Sequence, residues 1–374
     1  MCYNKFSKRN FNFAKRNKVK NVKKIAVINL GSTSTKAAYF EDDICKFSES
    51  IPHPAEELRK FVSNWEQYDY RKEQIVRFFE RRGVAMDQLD AIVSRGGHTQ
   101  PIHSGVYRIT ENMLRQSRSM QYGNHASDLG IRIAYDLARD KRFAFIVDSP
   151  CTDEFEPLAR YSGLPEMPRQ SRFHVLNHKA CARAYCADHG LDYDKVNLVV
   201  AHMGGGSSVA AHRKGRLVDG DNGLDGDGPF STNRTGALPV GALVDACYSG
   251  KYTHQEMRRK LNGLGGMMAY VNDNDVLSVY KKAAAGDKAC MEVIDAMIYQ
   301  TAKEIGAMAT VLDGDVDAVL LTGGIANDEY ITGQIEKRVK FIAPVFVYPG
   351  EREMLSLGQQ TYYALIGKEE VFEL

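Results

Sequence analysis

KIAVINLGSTSTKAAYF, residues 24–40, and NLVVAHMGGGSSVAAHR, residues 197–213, follow one pattern. Each opens with an apolar run of strand length, breaks at a Gly/Ser turn and resumes as a second apolar run, which spells a β-hairpin with a polar tip. Setting Asn29 on His202 places Gly31 on Gly204, Ser34 on Ser207 and Ala37–Ala38 on Ala210–Ala211. A second echo lies downstream in the same order: DAIVSRGG, residues 90–97, against DAVLLTGG, residues 317–324. Each is a short buried strand closing on a glycine pair, where backbone can approach a ligand. Two echoes in one order predict a duplicated α/β architecture with a cleft between the copies.

Helical spacing of apolar positions covers residues 55–82, 172–189, 276–312 and 353–366. The last follows a Pro349–Gly350 turn and opens with Glu351 and Glu353, where acids suit the helix dipole. DGDNGLDGDG, residues 219–228, reads as a turn-rich inter-strand loop, since it lacks the closing Glu and the spacing of a calcium loop. A chain of 374 residues, 44% hydrophobic and 26% charged, has the composition of a soluble globular protein with a large core. Its apolar runs, such as FAFIV at 143–147, fall far short of the roughly 18 residues of a membrane helix, so no membrane role is expected. Seven cysteines (Cys2, Cys45, Cys151, Cys181, Cys186, Cys247 and Cys290) form no C-x-x-C pair, which favours a reducing, cytoplasmic setting over a disulfide or zinc scaffold.

Net charge is only +2, yet residues 1–24 carry Lys and Arg without a single acid. Residues 1–21 are expected to be a basic, disordered tail; a nucleic-acid arm or a targeting peptide are the alternatives, and no apolar stretch follows as in a signal peptide. The remaining body is mildly acidic, so nucleic acid is not expected as its partner.

Consecutive Gly, Ser and Thr offer several N–H and hydroxyl donors to one anion. In NLGSTSTK, Gly31 allows close approach, Ser32, Thr33, Ser34 and Thr35 supply hydroxyls and Lys36 a point charge. In HMGGGSSV, Gly204, Gly205 and Gly206 remove side-chain bulk ahead of Ser207 and Ser208. Neither string is a Walker loop or a dinucleotide fingerprint. One such hairpin reads as a tight turn; a duplicated pair points to phosphate binding. Arg95 closes a buried strand and Arg234 sits in STNRTG without a nearby acid, although either alone reads as a solvated arginine. Asp148 ends the strand FAFIVD, a position that suits a metal-binding carboxylate and equally a turn cap. His174 and His178 share a helix face, but no Glu general base lies between them as in H-E-x-x-H, which argues against zinc.

From residue 22 to the C-terminus the chain resembles the acetate and butyrate kinases of the actin, sugar-kinase and heat-shock ATPase superfamily. The resemblance is closest to butyrate, or branched-chain fatty acid, kinases. It is carried by NLGSTSTK, SRGGHTQPIHSGVY, NHASDLG, VD-x-x-x-x-DE, YSGLPEMPRQSRFHVLNHKA, NLVVAHMGGGSSVAAH, GPFSTNRTGALPVG, CYSGKYT, LLTGGIA and YPGEREM, all in family order. It implies two duplicated actin-like (ribonuclease H-like) domains with a central nucleotide cleft: residues 22–170 completed by 340–374, and residues 171–339. It also implies that Asn29, Ser32, Thr33, Ser34 and Lys36 form the first phosphate motif and His202, Gly204, Gly205, Gly206 and Ser207 the second. Gly323, Gly324 and Ile325 resemble the adenosine motif. Arg95 and Arg234 match active-site arginines, Asp148 the catalytic, magnesium-associated aspartate, and His178 an active-site histidine of acetate kinases. Asn29, Arg95 and His125 fall at the carboxylate end.

Four residues depart from the family pattern. His178 is an acetate-kinase-like choice where butyrate kinases resemble N-Q-K. Asn327 stands where acetate kinases place a Glu associated with magnesium, Asp128 where Asn is usual, and Leu30 where Pro is usual. The resemblance implies a reversible reaction of ATP, with Mg2+, and a short-chain carboxylate, butyrate or isobutyrate, to ADP and an acyl phosphate. Acetate or propionate kinase is the alternative, followed by a non-catalytic nucleotide-binding regulator. A homodimer or larger assembly is implied as well.

Overall fold

A computed structural model describes residues 22–138 and 143–374; the expected basic tail, residues 1–21, lies outside them. The chain forms two units. Unit 1 runs to Cys151 and resumes at Glu353–Leu374, and unit 2 is Thr152–Arg352. These divisions fall earlier and later than the 170 and 340 read from the sequence. The reason is local bonding. Glu156 N–H donates to Val218 O at 2.9 Å and Ser171 Oγ to Thr152 O at 2.8 Å, which stitches 152–171 into unit 2. Residues 345–349 pair with the second sheet rather than the first.

Unit 1 contains β1 (Lys24–Leu30), β2 (Ser34–Glu41), β3 (Ile44–Pro52), α1 (Tyr68–Arg81), β4 (Ala91–Ser94), β5 (Val106–Arg108), α2 (Ser127–Ala138) and β6 (Phe143–Val147). Unit 2 contains α3 (Val175–His189), β7 (Asn197–Met203), β8 (Ser207–Arg213), β9 (Arg216–Gly220), α4 (Lys288–Val311), β10 (Ala318–Gly323), α5 (Glu329–Val339) and β11 (Val345–Pro349). The chain then returns to unit 1 as α6 (Glu353–Leu365) and β12 (Val371–Phe372).

The duplication is explicit in the pairing. In unit 1 the strand order is β12-β5-β6-β4-β1-β2-β3, and in unit 2 it is β11-β10-β7-β8-β9. Both hold an antiparallel meander, β1-β2-β3 or β7-β8-β9, with two further strands added parallel to its first member. The turns differ by one residue. Leu30 pairs with Thr35 across Gly31–Ser34, whereas Met203 pairs with Ser207 across Gly204–Gly206. Beyond the turn, then, the structural counterpart of Ser207 is Thr35, one step from the Ser34 that the sequence alignment assigned.

Alternation sorts each hairpin onto two faces. Ala26, Ile28 and Leu30 pack with Ile75, Phe78 and Phe79 of α1 and Leu129 and Ile133 of α2. Asn29 therefore faces the other way, toward α6, which lies on β1, β2, β4 and β6. Likewise Val199, Ala201 and Met203 pack with Ile294, Ile298 and Ile305 of α4, while Leu198 and Val200 pack with Cys181 and Tyr185 of α3. His202 thereby faces α3. The matched residues Asn29 and His202 are thus each presented to the helix on the corresponding face.

Two expected helices are broken. Residues 55–82 give only a short turn at Ala55–Leu58 before α1, because Glu66 takes the Val62 N–H at 2.9 Å and closes a separate turn. Residues 276–312 divide at Gly286, whose φ of 105° no helix admits, and Asp287 recaps α4 through the Ala289 N–H. The 219–228 stretch is not an inter-strand loop: Asp219 and Gly220 complete edge strand β9, and a loop follows.

Candidate active site

In unit 1 the first hairpin turn is held from both sides. Gly31 N–H donates to Ser34 O at 2.8 Å, and His53 N–H to Thr33 O at 2.9 Å. Behind the turn, Arg71 of α1 is fully buried and donates to Gly31 O at 2.9 Å, Ser32 O at 2.8 Å and Gln67 Oε1 at 2.8 Å. Its charge and burial hold His53, bonded to Thr35 Oγ1 at 2.8 Å, down to about 4, burial being the larger cause. Ser32 and Thr33 remain exposed at the tip. Lys36 is exposed on β2 directly opposite Asn29, and so shares its face.

Asn29 donates from Nδ2 to Glu353 Oε2 at 2.8 Å, and Arg95 NH2 lies 3.6 Å from Glu353 Oε1. The first residue of α6 therefore joins two residues from β1 and the end of β4. His125 is the third member: Ser127 N–H donates to its Nδ1 at 3.1 Å, which puts the ring proton on Nε2, 3.3 Å from Ser32 Oγ. Burial, then the charge of Arg95, pushes its pKa below the ordinary imidazole value. Asp128 accepts the N–H groups of His98 and His125 at 2.6 and 2.7 Å and the His98 ring at 3.2 Å. A carboxylate that collects these donors accounts for Asp at this position.

Asp148 follows β6 in a left-handed conformation, φ 42°, and its buried carboxylate accepts the Gly105 N–H at 3.0 Å. Strain of this kind in a non-glycine residue concentrates at functional sites. The next residue, Ser149, abuts Gly96: a Cβ there would come 2.7 Å from Ser149 Oγ. The Asp148 and Arg95 segments therefore lie side by side.

In unit 2 the second turn closes by Gly204 N–H donating to Gly206 O at 3.1 Å. Asn177 of α3 accepts the Arg352 N–H at Oδ1, at 2.8 Å, so its Nδ2 donates to His202 Nδ1 at 2.8 Å. The His202 proton is then on Nε2, which faces Gly204. Arg234 lies flush on the same turn: a Cβ on Gly206 would come 2.3 Å from its NH1. Its Nε is buried without a partner, no carboxylate opposes it among the described residues, and burial alone lowers its pKa. Ser231 fixes that loop by donating to Gly205 O at 2.6 Å. Gly323, φ 92°, packs against Met203 at the foot of the turn, with Gly324 and Ile325 opening the next short helix. Asn327 bonds back to Gly324 O at 2.9 Å.

Ser208, fully buried, bonds His174 Nδ1 and His178 Nε2, each at 2.9 Å. His178 Nδ1 faces His212 Nε2 at 3.5 Å, and His212 Nδ1 meets Tyr193 OH at 2.7 Å. His178 is thus sealed, with both nitrogens engaged. His174, half-buried at the start of α3, stacks on His202 with centroids 3.9 Å apart.

Arg71, Glu353, Asn177 and His174 are contributions the motif reading did not single out as site residues. Arg71 and Asn177 lie within helical patterns that read as ordinary faces, and Glu353 read as a dipole-favouring acid.

The acetokinase family profile matches residues 166–343. The chain is 46% identical to butyrate kinase 2 of Clostridium acetobutylicum over 93% of its length and 98% of that protein's. It is 44% identical to butyrate kinase 1 of the same organism, over 94% and 99%. Among solved structures, an acetate kinase of Porphyromonas gingivalis has a TM-score of 0.75 at 17% identity, covering 91% of this chain and 99% of that one. A propionate kinase of Francisella tularensis has a TM-score of 0.71 at 18% identity, covering 90% and 98%. These structures establish the fold, two duplicated actin-like α/β domains, and the near-full-length relatives establish the rest: the chain belongs to the acetokinase family of ATP-using kinases, beside the butyrate kinases.

Proposed function

We propose that this protein transfers the γ-phosphoryl group of ATP to a short-chain carboxylate, butyrate or isobutyrate foremost, yielding ADP and an acyl phosphate, and that it also runs the reaction in reverse. One observation carries the reading. Arg234, desolvated and opposed by no carboxylate among the described residues, lies against the Gly204–Gly206 turn to which His202 presents Nε2. A buried cation left uncompensated is costly, and a polyanionic phosphate chain is the ligand that answers it.

A carboxylate is already ionised at neutral pH, so the nucleophile needs no base. Its oxygen attacks the γ-phosphorus in line. The bond from that phosphorus to the β–γ bridging oxygen breaks, its electron pair leaves on ADP, and no proton is transferred. What remains is to bring two anions together and neutralise the transferring group. Asn29, Arg95 and His125 take the carboxylate end, with Glu353 orienting the first two. Ser32, Thr33, Ser34 and Lys36 form the first phosphate contact, and His202, Gly204–Gly206, Ser207 and Arg234 the second. Gly323, Gly324 and Ile325 flank the adenosine. His174, half-buried beside His202, is the histidine we set against the transferring group. His178 acts through Ser208 as a positioning residue.

Among the described residues no three metal-binding side chains converge. Magnesium, however, asks for only one or two protein carboxylates beside phosphates and water. Asp148 fits that demand and would hold the ion, whose charge offsets that of the phosphates.

The test is hydroxamate trapping of acyl phosphate with acetate, propionate, butyrate and isobutyrate. The four-carbon acids should give the highest kcat/KM, and Arg234→Ala should lower turnover by about 10²–10³-fold while leaving ADP binding measurable. Preference for acetate or propionate would move the assignment to those acids. ADP binding without acyl phosphate from any acid would leave a nucleotide-binding regulator instead.

The helix Val240–Tyr248 supports self-association: it is apolar, yet it buries none of its residues, and Val240 and Tyr248 are 71% and 88% exposed. A homodimer through this face should dissociate in sedimentation when Val240 and Val244 are both changed to Glu. The six described cysteines are all free thiols, which supports a cytoplasmic setting. Among the described residues no helix is long and apolar enough to cross a membrane.

A further inference from the structure

Asp221 follows β9 and is 1% exposed. Its Oδ2 accepts the Val209 N–H at 2.8 Å, and its own N–H returns a bond to Val209 O at 3.1 Å. The other oxygen, Oδ1, is sealed from solvent and receives no N–H or hydroxyl donor. The Asp221 side chain has the Glu304 carboxyl of α4 as its hydrogen-bonding neighbour. Two carboxyl groups can bond each other only through a proton. Because Oδ2 is already an acceptor, the proton belongs on Oδ1.

We propose that Asp221 and Glu304 share one proton, carried on Asp221 Oδ1 and donated to Glu304, and that this pair positions the Gly204–Ser208 turn relative to the Arg234 loop. The placement explains the role. On one side Asp221 grips Val209, just beyond Ser207 and Ser208, and the loop it begins runs past the turn: a Cβ on Gly223 would lie 2.6 Å from Ser207 O. On the other side Gly228, φ 71°, packs onto the Asp221 carboxyl, where a Cβ would come 2.4 Å from Cγ. Gly228 O then accepts the Ala237 N–H at 2.9 Å, closing the segment that carries Arg234. One side chain therefore stands at the joint between the turn and its arginine.

The surrounding charge favours retention of the proton. Asp227 of the loop, Asp219 of β9 and Glu304 of α4 face this region, while β8 offers only backbone. The cation among them is Arg169, which bonds Asp219 at 2.8 Å and Asp227 at 3.3 Å. Burial, with Glu304 next, holds Asp221 well above the carboxylate range, and burial likewise raises Glu304.

The positioning role rests on the reading of Gly204–Ser208 as a phosphate turn; the shared proton does not. Asp221→Asn reproduces the protonated acid, its carbonyl accepting the Val209 N–H and its amide donating to Glu304. It should keep the KM for ATP within about twofold of the parent, whereas Asp221→Leu should raise it about tenfold or more. In the parent, KM for ATP should climb at alkaline pH as the proton is lost and two anions oppose each other, and Asp221→Asn should abolish that climb. Infrared difference spectra of the nucleotide-free protein should show a neutral carboxylic-acid band that disappears in Asp221→Asn, a readout that stands even if Asp221→Leu does not fold. The proposal is overturned if Asp221→Asn raises KM as a disruptive variant would, if the alkaline climb persists in it, or if the acid band is absent. If the band behaves as expected but KM never moves, the positioning role falls, and Arg234→Ala then decides separately whether the turn binds phosphate.

Discussion

Acidification should destabilise unit 2 through His178 and His212. Both are fully buried and neutral. Burial, followed by the neighbouring His212 and His202, pushes the pKa of His178 well below the ordinary imidazole value; burial, followed by Lys179 and Arg183, does the same for His212. The hydrogen bonds give the same answer. His212 Nδ1 is engaged by Tyr193 and His178 Nε2 by Ser208, while His178 Nδ1 faces His212 Nε2 at 3.5 Å, a contact that takes one proton and where a second would set N–H against N–H. In the unfolded chain both rings protonate near pH 6.5. The unfolded state therefore binds more protons below that point, so the stability is fully present above about pH 6.5 and is lost as pH falls. Between about pH 7.5 and 5.5 the loss reaches at most about 1.4 kcal/mol per ring, ~2.8 kcal/mol for the pair. Against a typical net stability of about 5–15 kcal/mol this is a large fraction. Urea unfolding at the two pH values measures it. An Asp221→Asn background removes the opposite slope of that raised carboxyl, which costs stability as pH rises. Imidazole NMR titration identifies the groups. An ordinary midpoint for His178 or His212, or no change in unfolding free energy over this window, would refute the reasoning.

Arg71→Met should cost about 3 kcal/mol and raise the KM for ATP, because the Gly31 and Ser32 carbonyls of the first phosphate turn lose their charged donor; thermal unfolding with kinetics at saturating carboxylate checks both. Glu154→Ala should cost about 3–5 kcal/mol by stranding Lys179, to which Glu154 is paired at 2.8 Å with both side chains buried. The double variant Glu154→Leu/Lys179→Met should recover part of that in the same melts. Glu353→Gln should lower the KM for the carboxylate roughly tenfold and slow turnover, since Arg95 then binds the substrate anion without competition. An unchanged KM would mean that Glu353 does not temper Arg95.

The duplication was legible because a strand, a Gly/Ser turn and a second strand leave a local signature, and because DAIVSRGG and DAVLLTGG echo it. The one-residue difference between the turns was not. Ser32 and Ser34 in one half and Ser207 and Ser208 in the other allow more than one match, and only the pairing of Leu30 with Thr35 and of Met203 with Ser207 fixes the register. Arg95 and Asp148 stood out because each closes an apolar run, and Arg234 because it sits in STNRTG without a nearby acid. Arg71, Asn177 and Glu353 did not, for a common reason. Each acts at a distance in sequence, from a helix onto a strand end, so its partner is set by which face of the sheet that helix covers. His178 shows the converse: its position in a motif suggested contact with substrate, while the rings around it bury it completely.

The two halves have diverged in how they compensate charge, and the divergence fits the proposed division of labour. Asn29 and His202 occupy matched positions, and each is oriented by a helix on the matching face, by Glu353 in one half and Asn177 in the other. Glu353 brings a negative charge, which stands 3.6 Å from Arg95 and offsets it in part. Asn177 brings none, and Arg234 is left without an acid among the described residues. A partly neutralised arginine suits a monoanion that must be released after each turnover. An uncompensated, desolvated one suits a polyanion, whose several charges repay the burial of the cation. Adding a negative charge to the second turn should therefore impair that end selectively: a Gly205→Asp change, whose Cβ would lie 3.6 Å from Asn233 Nδ2 in the Arg234 loop, should weaken ATP far more than the carboxylate, and equal loss for both substrates would contradict this assignment.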